Sequence, residues 1–509
     1  MPLVAAIDVG TGSARAGIFD AAGRLLARAE HPTEIFAPAP GHAEQESTAL
    51  WQAACAALKS ARAEAAARPE AIAALAFDAT CSLVLRDAAG RPLTASTTGD
   101  DRRDTILWLD HRAIPEAEAI TATAHPSVAL SGGAVSPEMQ LPKLLWLKRH
   151  LPDTWARLGL AIDLADFLAW RATGNPARSR CTVTCKWNHL PDATPAWPHD
   201  LLGAIGLADL LARAGLPEAA TPVAADLGPL TPEAARDLGL TPATRVATGL
   251  IDAHAGALGV LGHLPAADLP GHAALIGGTS ACLMTLAAPK PIPGIWGPYP
   301  GAVLPGLPLS EGGLSAAGAL LDHLLRLHGH APEPAAHARV IARVGELRVA
   351  TPDLAPDLHV VPDFLGRRSP DPDPYARGTI AGLPLDASFD ALCRLYWRAC
   401  LGIALGIRAV LEHLRAHGVP IDTLHVTGGH TRNPLLMQLY ADATACRTVE
   451  PAAPDAVLLG TAMVAATAAG LHPSLAAASA AMHQPGTPRA PDPAAPYEGA
   501  WQRFRSLRR

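Results

Sequence analysis

The sequence predicts an α/β protein built from two similar halves that enclose a cleft. Three observations lead to this prediction. The first 80 residues read as strands and a helix in the order β-β-β-α-β, with tight turns between the opening strands. A second strand–turn–strand unit, with its turn at 277–280, lies about half a chain later. A long amphipathic helix then leads to a strand that ends in a glycine pair, so a duplicated fold explains the pattern economically.

Apolar runs and turn residues place the elements of the first half. The predicted strands cover residues 3–9, 16–19, 25–29 and 71–77. Short turns containing glycine or alanine separate the first three strands. A helix is expected from Ser47 or Thr48, either of which can cap it, to about Ala67. The strand after this helix is followed directly by Asp78.

The second half repeats this arrangement. Its predicted strands cover residues 273–276, 281–286 and 424–427. A long helix is expected over 389–417, and Gly418 and Pro420 end it. The helix carries one apolar stripe, formed by Leu392, Leu395, Ala399, Ile403, Ile407, Val410 and Leu414.

Proline-rich segments suggest where the chain divides. The segment 262–271, with Pro265 and Pro270, is the best candidate for a junction between the halves. We therefore expect an N-terminal domain over 1–264, a C-terminal domain over 265–475 and a tail over 476–509 that lies on the surface. The sequence leaves the oligomeric state open, a homodimer included.

Composition excludes several classes of protein. The 41 basic and 47 acidic residues give a net charge of −6, which offers no reason to expect nucleic acid or an anionic membrane as a partner. The weakly polar stretch 456–470 is shorter than the roughly 20 apolar residues that span a bilayer. Asp8 falls inside the apolar region that a signal peptide would need. We therefore expect a cytoplasmic globular protein.

The eight cysteines are sparse and irregularly spaced. There is no Cys-x2-Cys pair, and Cys181 and Cys185 lack a second ligand pair. A structural zinc site is therefore not expected. Reduced thiols agree with a cytosolic location.

Two glycine-containing turns are candidates for phosphate binding. Their residues are Gly10, Thr11, Gly12 and Ser13 in the first half and Gly277, Gly278, Thr279 and Ser280 in the second. Glycines let backbone N–H groups approach a phosphate, and the hydroxyls add donors. Each turn alone is equally consistent with an ordinary hairpin. Together they resemble the actin-like ATPase (ribonuclease H-like) fold, in which two such turns hold the phosphates of a nucleotide between duplicated β-β-β-α-β-α cores.

Two further motifs follow apolar strands. Asp252 stands between an apolar strand and the small residues that open a helix, where it could accept a proton from an attacking hydroxyl. The simpler interpretations are a helix N-cap for Asp252 and a structural role for His254. Gly428 and Gly429 leave room for a flat purine, although a plain strand-to-helix turn is the alternative.

Longer segments resemble the FGGY family of carbohydrate kinases over about residues 3–470. The similarity is to the pentulose-kinase branch, and within it most to D-ribulokinases. The segments that carry it are 77–84 (Phe-Asp-Ala-Thr-Cys-Ser-Leu-Val), 108–113 (Trp-Leu-Asp-His-Arg-Ala), 136–139 (Ser-Pro-Glu-Met), 142–148 (Pro-Lys-Leu-Leu-Trp-Leu-Lys), 185–187 (Cys-Lys-Trp), 250–256 (Leu-Ile-Asp-Ala-His-Ala-Gly) and 296–299 (Trp-Gly-Pro-Tyr).

The resemblance implies ATP-dependent phosphorylation of the terminal hydroxyl of a pentulose, most specifically D-ribulose, with Asp252 as catalytic base. The residues expected to contact the sugar are Thr80, Cys81, Lys186, Asp252 and Glu311. Those expected to bind the nucleotide are Gly10, Thr11, Gly12, Ser13, Gly278, Thr279, Ser280, Gly428, Gly429 and Asn433. Asp8 and Asp252 are expected to hold Mg²⁺. The N-terminal domain would then provide the sugar side and the C-terminal domain the nucleotide side.

Three residues depart from the family pattern. Leu314 stands where glutamine is usual, Arg367 where asparagine is common, and His430 where a third glycine often occurs. L-ribulose, a xylulose or a pentitol such as ribitol stays open as substrate. A non-kinase actin-like nucleotide-binding protein and a catalytically damaged sugar-binding relative are further alternatives.

Overall fold

The computed structural model describes residues 2–508, in which two α/β halves are each organised around a seven-stranded sheet. The strands of the first half are β1 Leu3–Val9, β2 Ser13–Asp20, β3 Leu25–Pro32, β4 Glu44–Gln45, β5 Ile72–Ala79, β6 Leu83–Asp87, β7 Thr105–Ile106, β8 Leu158–Asp163, β9 Asp226–Pro229, β10 Arg245–Ala247 and β11 Leu250–Ile251. Its helices are α1 Ser47–Glu64, α2 Ile114–Thr121, α3 Gln140–His150, α4 Pro152–Arg157, α5 Leu164–Thr173, α6 Arg180–Lys186, α7 His199–Ala204, α8 Leu210–Arg213, α9 Pro232–Leu238 and α10 Asp252–Leu261.

The second half has the same kind of elements. Its strands are β12 His272–Gly277, β13 Ala281–Thr285, β14 Trp296–Pro300, β15 Pro308–Leu314, β16 His359–Val361, β17 Thr379–Ala381, β18 Thr423–Gly428, β19 Arg447–Glu450 and β20 Thr487–Arg489. Its helices are α11 Gly318–Leu327, α12 Pro334–Ala350, α13 Phe389–Ala416, α14 Pro434–Thr444, α15 Ala456–Ala468, α16 Leu475–Met482 and α17 Glu498–Leu507. Short 3₁₀ helices cover Pro69–Ala71, Pro126–Ser131, Leu269–Gly271 and Gly429–Arg432.

The two large sheets have matching topology. The first runs β3-β2-β1-β5-β10-β9, with β11 also paired to β5, and the second runs β14-β15-β13-β12-β18-β19-β20. In each, an antiparallel hairpin (β1–β2 or β12–β13) lies beside a parallel strand, β5 or β18. The predicted duplicated α/β fold is confirmed. Smaller sheets, β4-β7-β6-β8 and β16-β17, add to the two halves.

Most predicted elements agree with the structure within a few residues. The helix expected to reach Ala67 ends at Glu64, because Ala66 adopts the left-handed conformation at φ 48° and turns the chain toward β5. The long helix expected over 389–417 is α13, which buries its predicted apolar stripe. Its Ser388 cap accepts a hydrogen bond from the Ala391 N–H.

A close helix crossing fixes the start of α10. Helix α15 is apolar on all sides and mostly buried, as expected for a helix enclosed by protein. It packs on α10 at Gly259 and Gly460, where a Cβ atom would lie 2.1 Å from Ala456 O and 2.0 Å from Ala255 O respectively. Glycine is required there because the two backbones touch. Since Asp252 is the first residue of α10, this crossing also fixes the position of its backbone.

The chain after α15 contacts both halves, and in the first half Gln484 Nε2 donates to Gly23 O at 2.9 Å. Strand β20 pairs antiparallel with β19, and α17 packs against β16. The division into 1–264, 265–475 and 476–509 stays a prediction. Among residues 2–508, none of the helices combines the length and the apolar character that a membrane span requires.

Candidate active site

A cleft of about 550 Å³ lies between the halves and collects most of the predicted site residues. Those that line it are Gly10, Thr11, Gly12, Ser13, Thr80, Cys81, Lys186, Asp252, Gly278, Thr279, Ser280, Glu311, Gly428 and Gly429. The two predicted residues outside this lining are Asp8 and Asn433. Residues far apart in sequence therefore meet in one cavity.

Two turns face the cleft from opposite sheets. The turn between β1 and β2 closes with a hydrogen bond from Gly10 N to Ser13 O at 3.0 Å, and Trp108 Nε1 donates to Thr11 Oγ1 at 2.9 Å. The turn between β12 and β13 closes from Gly278 N to Ser280 O at 2.8 Å. Each turn is thus held rigidly with small residues toward the cleft, as a phosphate cradle requires.

His430 supports the second turn. Burial lowers the pKa of His430 to about 4, so its ring is neutral near pH 7. Nε2 then donates to Gly278 O at 3.1 Å, while Nδ1 accepts from the Tyr440 hydroxyl at 2.8 Å. Where a third glycine is common in the family pattern, this chain has a histidine that positions the neighbouring turn.

Gly428 brings the second half's strand ends together. It has φ 84°, and a Cβ atom there would lie 2.4 Å from Gly277 O. Both the conformation and the contact exclude a side chain. The backbone of β18 therefore reaches the cleft beside the turn, where Gly428 and Gly429 line it.

Three aspartates meet at the ends of neighbouring parallel strands. Asp8 on β1 is opposite Asp78 on β5, Asp78 is opposite Leu250 on β11, and Asp252 follows β11. Burial raises the pKa of Asp8 to about 6, although its ion pair with Arg15 acts in the other direction. Burial also raises the pKa of Asp252. The Asp252 carboxylate is oriented by the Ala253 N–H, which donates to Oδ1 at 2.6 Å.

A buried charge cluster forms the other end of the cleft. It consists of Lys186, His254 and Glu138 from the first half and Glu311 and Arg368 from the second. Glu311 lies 3.5 Å from Lys186 Nζ, 3.4 Å from His254 Nε2 and 3.5 Å from Arg368 Nη1. Burial alone would raise the pKa of Glu311, but the three cationic groups outweigh it and hold the pKa below its ordinary range.

The cluster also joins the halves. Arg368 Nη2 lies 2.9 Å from Glu138 Oε2, and both side chains are nearly inaccessible to solvent. The rings of Trp296 and Trp108 lie 5.0 and 5.9 Å from the guanidinium carbon, and Lys186 Nζ lies 4.4 Å from the Trp296 ring. Such a set of fixed donors and acceptors is suited to a polyhydroxylated ligand.

Comparison with known proteins shows which kind of protein has this site. The models for the N-terminal and C-terminal domains of the FGGY family of carbohydrate kinases match residues 3–259 and 273–469. The chain belongs to this family. It is therefore a carbohydrate kinase, a phosphotransferase of a family that uses ATP as phosphate donor.

Individual relatives agree with this family. The kinase is 41% identical to the FGGY carbohydrate kinase domain-containing protein of Homo sapiens, over 94% of this chain and 91% of that protein. It is 34% identical to a D-ribulokinase of Saccharomyces cerevisiae, over 91% of this chain and 71% of that protein. The crystal structure of xylulose kinase from Rhodospirillum rubrum is similar at a TM-score of 0.76 and 26% identity, covering 99% and 98% of the two chains.

Two departures from the family pattern lie away from the cleft of the kinase. Leu314 is buried in the core of the second half, next to Gly406 of α13. Arg367 donates to Arg508 O at 2.6 Å, which ties its loop to the end of the chain. Asn433 caps α14, where its Oδ1 accepts from the N–H groups of Leu435 and Leu436.

The acidic side chains fit a hard divalent cation. Oδ1 of Asp8 and Oδ1 of Asp78 are buried without a hydrogen-bond partner among the described residues. Both are carboxylate oxygens near Asp252, and oxygen ligands are those that Mg²⁺ prefers. The donor set is therefore appropriate for the metal that kinases use with ATP.

Sequence reasoning missed several residues of the site. Glu138 lies in a segment that carried the family resemblance and Arg368 directly follows the departure at Arg367, but nothing local indicated that they pair across the halves. Asp78 came directly after a predicted strand, and its alignment with Asp8 requires the strand pairing to be known. Arg15 stands in the first hairpin, two residues after the glycine turn, where a cation near phosphates could have been expected.

Proposed function

We propose that this carbohydrate kinase transfers the γ-phosphate of ATP to the terminal hydroxyl of D-ribulose, forming D-ribulose 5-phosphate. The observation that carries the proposal is the position of Asp252 in a single cleft, with the two glycine turns and the charge cluster. A base placed between a phosphate site and a polyol site is what phosphoryl transfer to an alcohol needs. The yeast D-ribulokinase relative supports the choice of sugar.

In this mechanism Asp252 removes the proton from the terminal hydroxyl while the oxygen attacks the γ-phosphorus of ATP. The bond from the γ-phosphorus to the β–γ bridging oxygen breaks, and ADP leaves. Because burial raises the pKa of Asp252, it is a stronger base than an exposed aspartate. The Ala253 N–H holds Oδ1, which directs the carboxylate.

The other groups position the two substrates. Lys186, Glu311, Thr80 and Cys81 hold the pentulose, and the two turns hold the phosphates through N–H and hydroxyl groups. Gly428 and Gly429 receive the adenosine, and Asn433 caps the helix that follows them. Asp8 and Asp252 would hold Mg²⁺, which when bound neutralises the negative charge of the phosphates.

The substrate is tested by measuring ADP release with Mg²⁺ and ATP on D-ribulose, L-ribulose, D-xylulose, L-xylulose, ribitol and glycerol. We expect kcat/KM to be highest for D-ribulose, with one D-ribulose 5-phosphate formed per ADP. A higher kcat/KM for another pentulose or for ribitol would show that D-ribulose is not the preferred substrate, while the proposed mechanism would still hold. ADP release that no polyol stimulates would contradict the proposal.

A further inference from the structure

Three metal-ligating side chains lie together beside the charge cluster. Cys181 and Cys185 are one turn apart on α6, so their thiols share a face, and His254 reaches them from the first turn of α10. The two Sγ atoms and the Nδ1 atom all lie within 4.8 Å of one another, and all three residues are buried. Cys181 and His254 are 73 positions apart in sequence, which is why the cysteine spacing alone did not indicate a site.

The distances are close to those of a zinc site. Zn–S bonds of about 2.3 Å and Zn–N bonds of about 2.0–2.1 Å in a tetrahedron place sulfur and nitrogen ligands about 3.5 Å apart. The distance from Cys181 Sγ to His254 Nδ1 is 3.1 Å. A movement of a few tenths of an ångström therefore admits the ion.

The surroundings have the hydrogen bonds that metal ligands use. His254 directs Nδ1 toward the thiols and Nε2 toward Glu311 Oε2 at 3.4 Å. A carboxylate behind a histidine fixes the ring and its tautomer, which is the usual arrangement for a metal-binding histidine. The Ile251 N–H points at Cys181 Sγ at 3.5 Å, an interaction that favours a thiolate.

We propose that Cys181, Cys185 and His254 bind one Zn²⁺ ion, with a water molecule as fourth ligand. His254 lines the cleft, so the site lies directly beside it. Thiolates and imidazole select zinc over magnesium, so the site is chemically distinct from the aspartates. The ion would join α6, which ends at Lys186, to α10, which begins at Asp252. The proposal is independent of which sugar the kinase phosphorylates.

Zinc binding is measured on the full chain after chelator treatment, under anaerobic conditions with a phosphine reductant. Zn²⁺ is titrated against a chromophoric chelator with excess Mg²⁺ present, so that oxygen ligands are already occupied. We expect one Zn²⁺ per chain. Co²⁺ in place of Zn²⁺ is expected to give the near-ultraviolet thiolate-to-metal charge-transfer band, which carboxylate or imidazole ligands do not produce.

Variants locate the ion. Cys181→Ser and Cys185→Ser should each lose most of the charge-transfer band and weaken Zn²⁺ binding more than about 100-fold. Substituting a residue that only hydrogen-bonds to a metal ligand usually weakens binding less than this. Cys55→Ser is the matched control, because Cys55 is also buried but lies on α1. It should retain one Zn²⁺ per chain.

The Co²⁺ spectrum of the wild-type protein tests the proposal even if a variant misfolds, because it requires no substitution. The proposal is overturned if the chain binds no Zn²⁺ while excess Mg²⁺ is present. It is also overturned if Co²⁺ binds without producing the charge-transfer band. A band that persists unchanged in folded Cys181→Ser and Cys185→Ser also overturns it.

Discussion

Glu311→Gln tests whether one carboxylate holds the charge cluster together. Glu311 lies 3.4–3.5 Å from His254, Lys186 and Arg368. Arg368 keeps Glu138 as a second partner, whereas Glu311 is the one carboxylate within 4.0 Å of Lys186 Nζ among residues 2–508. Neutralising Glu311 therefore leaves the Lys186 ammonium buried without a counter-charge.

The structure sets the size of the effect. Removing one partner of a buried ion pair costs about 3–5 kcal/mol. Glutamine keeps the shape and one acceptor oxygen, so we expect the lower end, about 3 kcal/mol. At about 2–4 °C per kcal/mol for a unit of 150–250 residues, the Tm should fall by about 6–12 °C. The KM for D-ribulose should rise, because the same carboxylate is proposed to contact the sugar.

The effect also depends on pH. The folded-state pKa of Glu311 lies below its ordinary value of 4.5, so its stabilising contribution is present at neutral pH. It is lost as the pH falls below about 4.5 and through the folded-state value. The difference in stability between wild type and Glu311→Gln should therefore shrink in acid.

The assay is thermal and urea unfolding followed by circular dichroism, on Glu311→Gln, Lys186→Met and the double variant. The double variant should lose less stability than the two single losses added together, because it has no unpaired charge at this pair. Glu346→Gln is the control, since its pair with Arg343 is largely exposed and should contribute under about 1 kcal/mol. A loss below 1 kcal/mol in Glu311→Gln, or strict additivity in the double variant, would refute the reasoning.

Three further predictions concern the reaction. Asp252→Asn should lower kcat about 10²- to 10⁴-fold, because it removes the base and keeps the shape of the side chain. Calorimetry should still detect ATP and sugar binding, and near-normal turnover would exclude Asp252 as the catalytic base. Because the pKa of Asp252 is raised, kcat/KM should fall as the pH drops through that raised pKa, and an unchanged profile between pH 4 and 8 would contradict it. Gly428→Ala should raise the KM for ATP at least about tenfold, since its Cβ would meet Gly277 O at 2.4 Å. Gly418→Ala is its control, with a similar φ of 86° and open space around it, and equal effects of the two would show that the contact is unimportant.

The fold could be predicted because its signals are local. Each opening strand is a short apolar run that a turn ends, and the same unit occurs twice, so neither long-range contacts nor helix packing had to be known. Asp252 could be identified as a candidate base for the same reason, since it follows a strand and begins a helix. The N-cap of α14 by Asn433 also had a local signal, because asparagine directly before a proline is typical of a helix start.

The rest of the site depends on tertiary contacts. Arg367 and Arg368 are adjacent in an irregular loop, and no periodicity shows where their side chains point. The first reaches Arg508, just after α17, and the second enters the cleft and meets Glu138. Likewise, the contact of His254 with Cys181 arises only when α10 and α6 are packed together.

The division of the charge cluster between the halves has a consequence for catalysis. Lys186 and Glu138 belong to the first half, while Glu311 and Arg368 belong to the second. A pentulose bound as proposed would contact both halves, so part of its binding free energy would favour the closed arrangement. Such closure would bring the two phosphate turns together around ATP and exclude water that would otherwise compete with the sugar hydroxyl. Sugars that engage only one half should therefore stimulate ADP release poorly even when they bind.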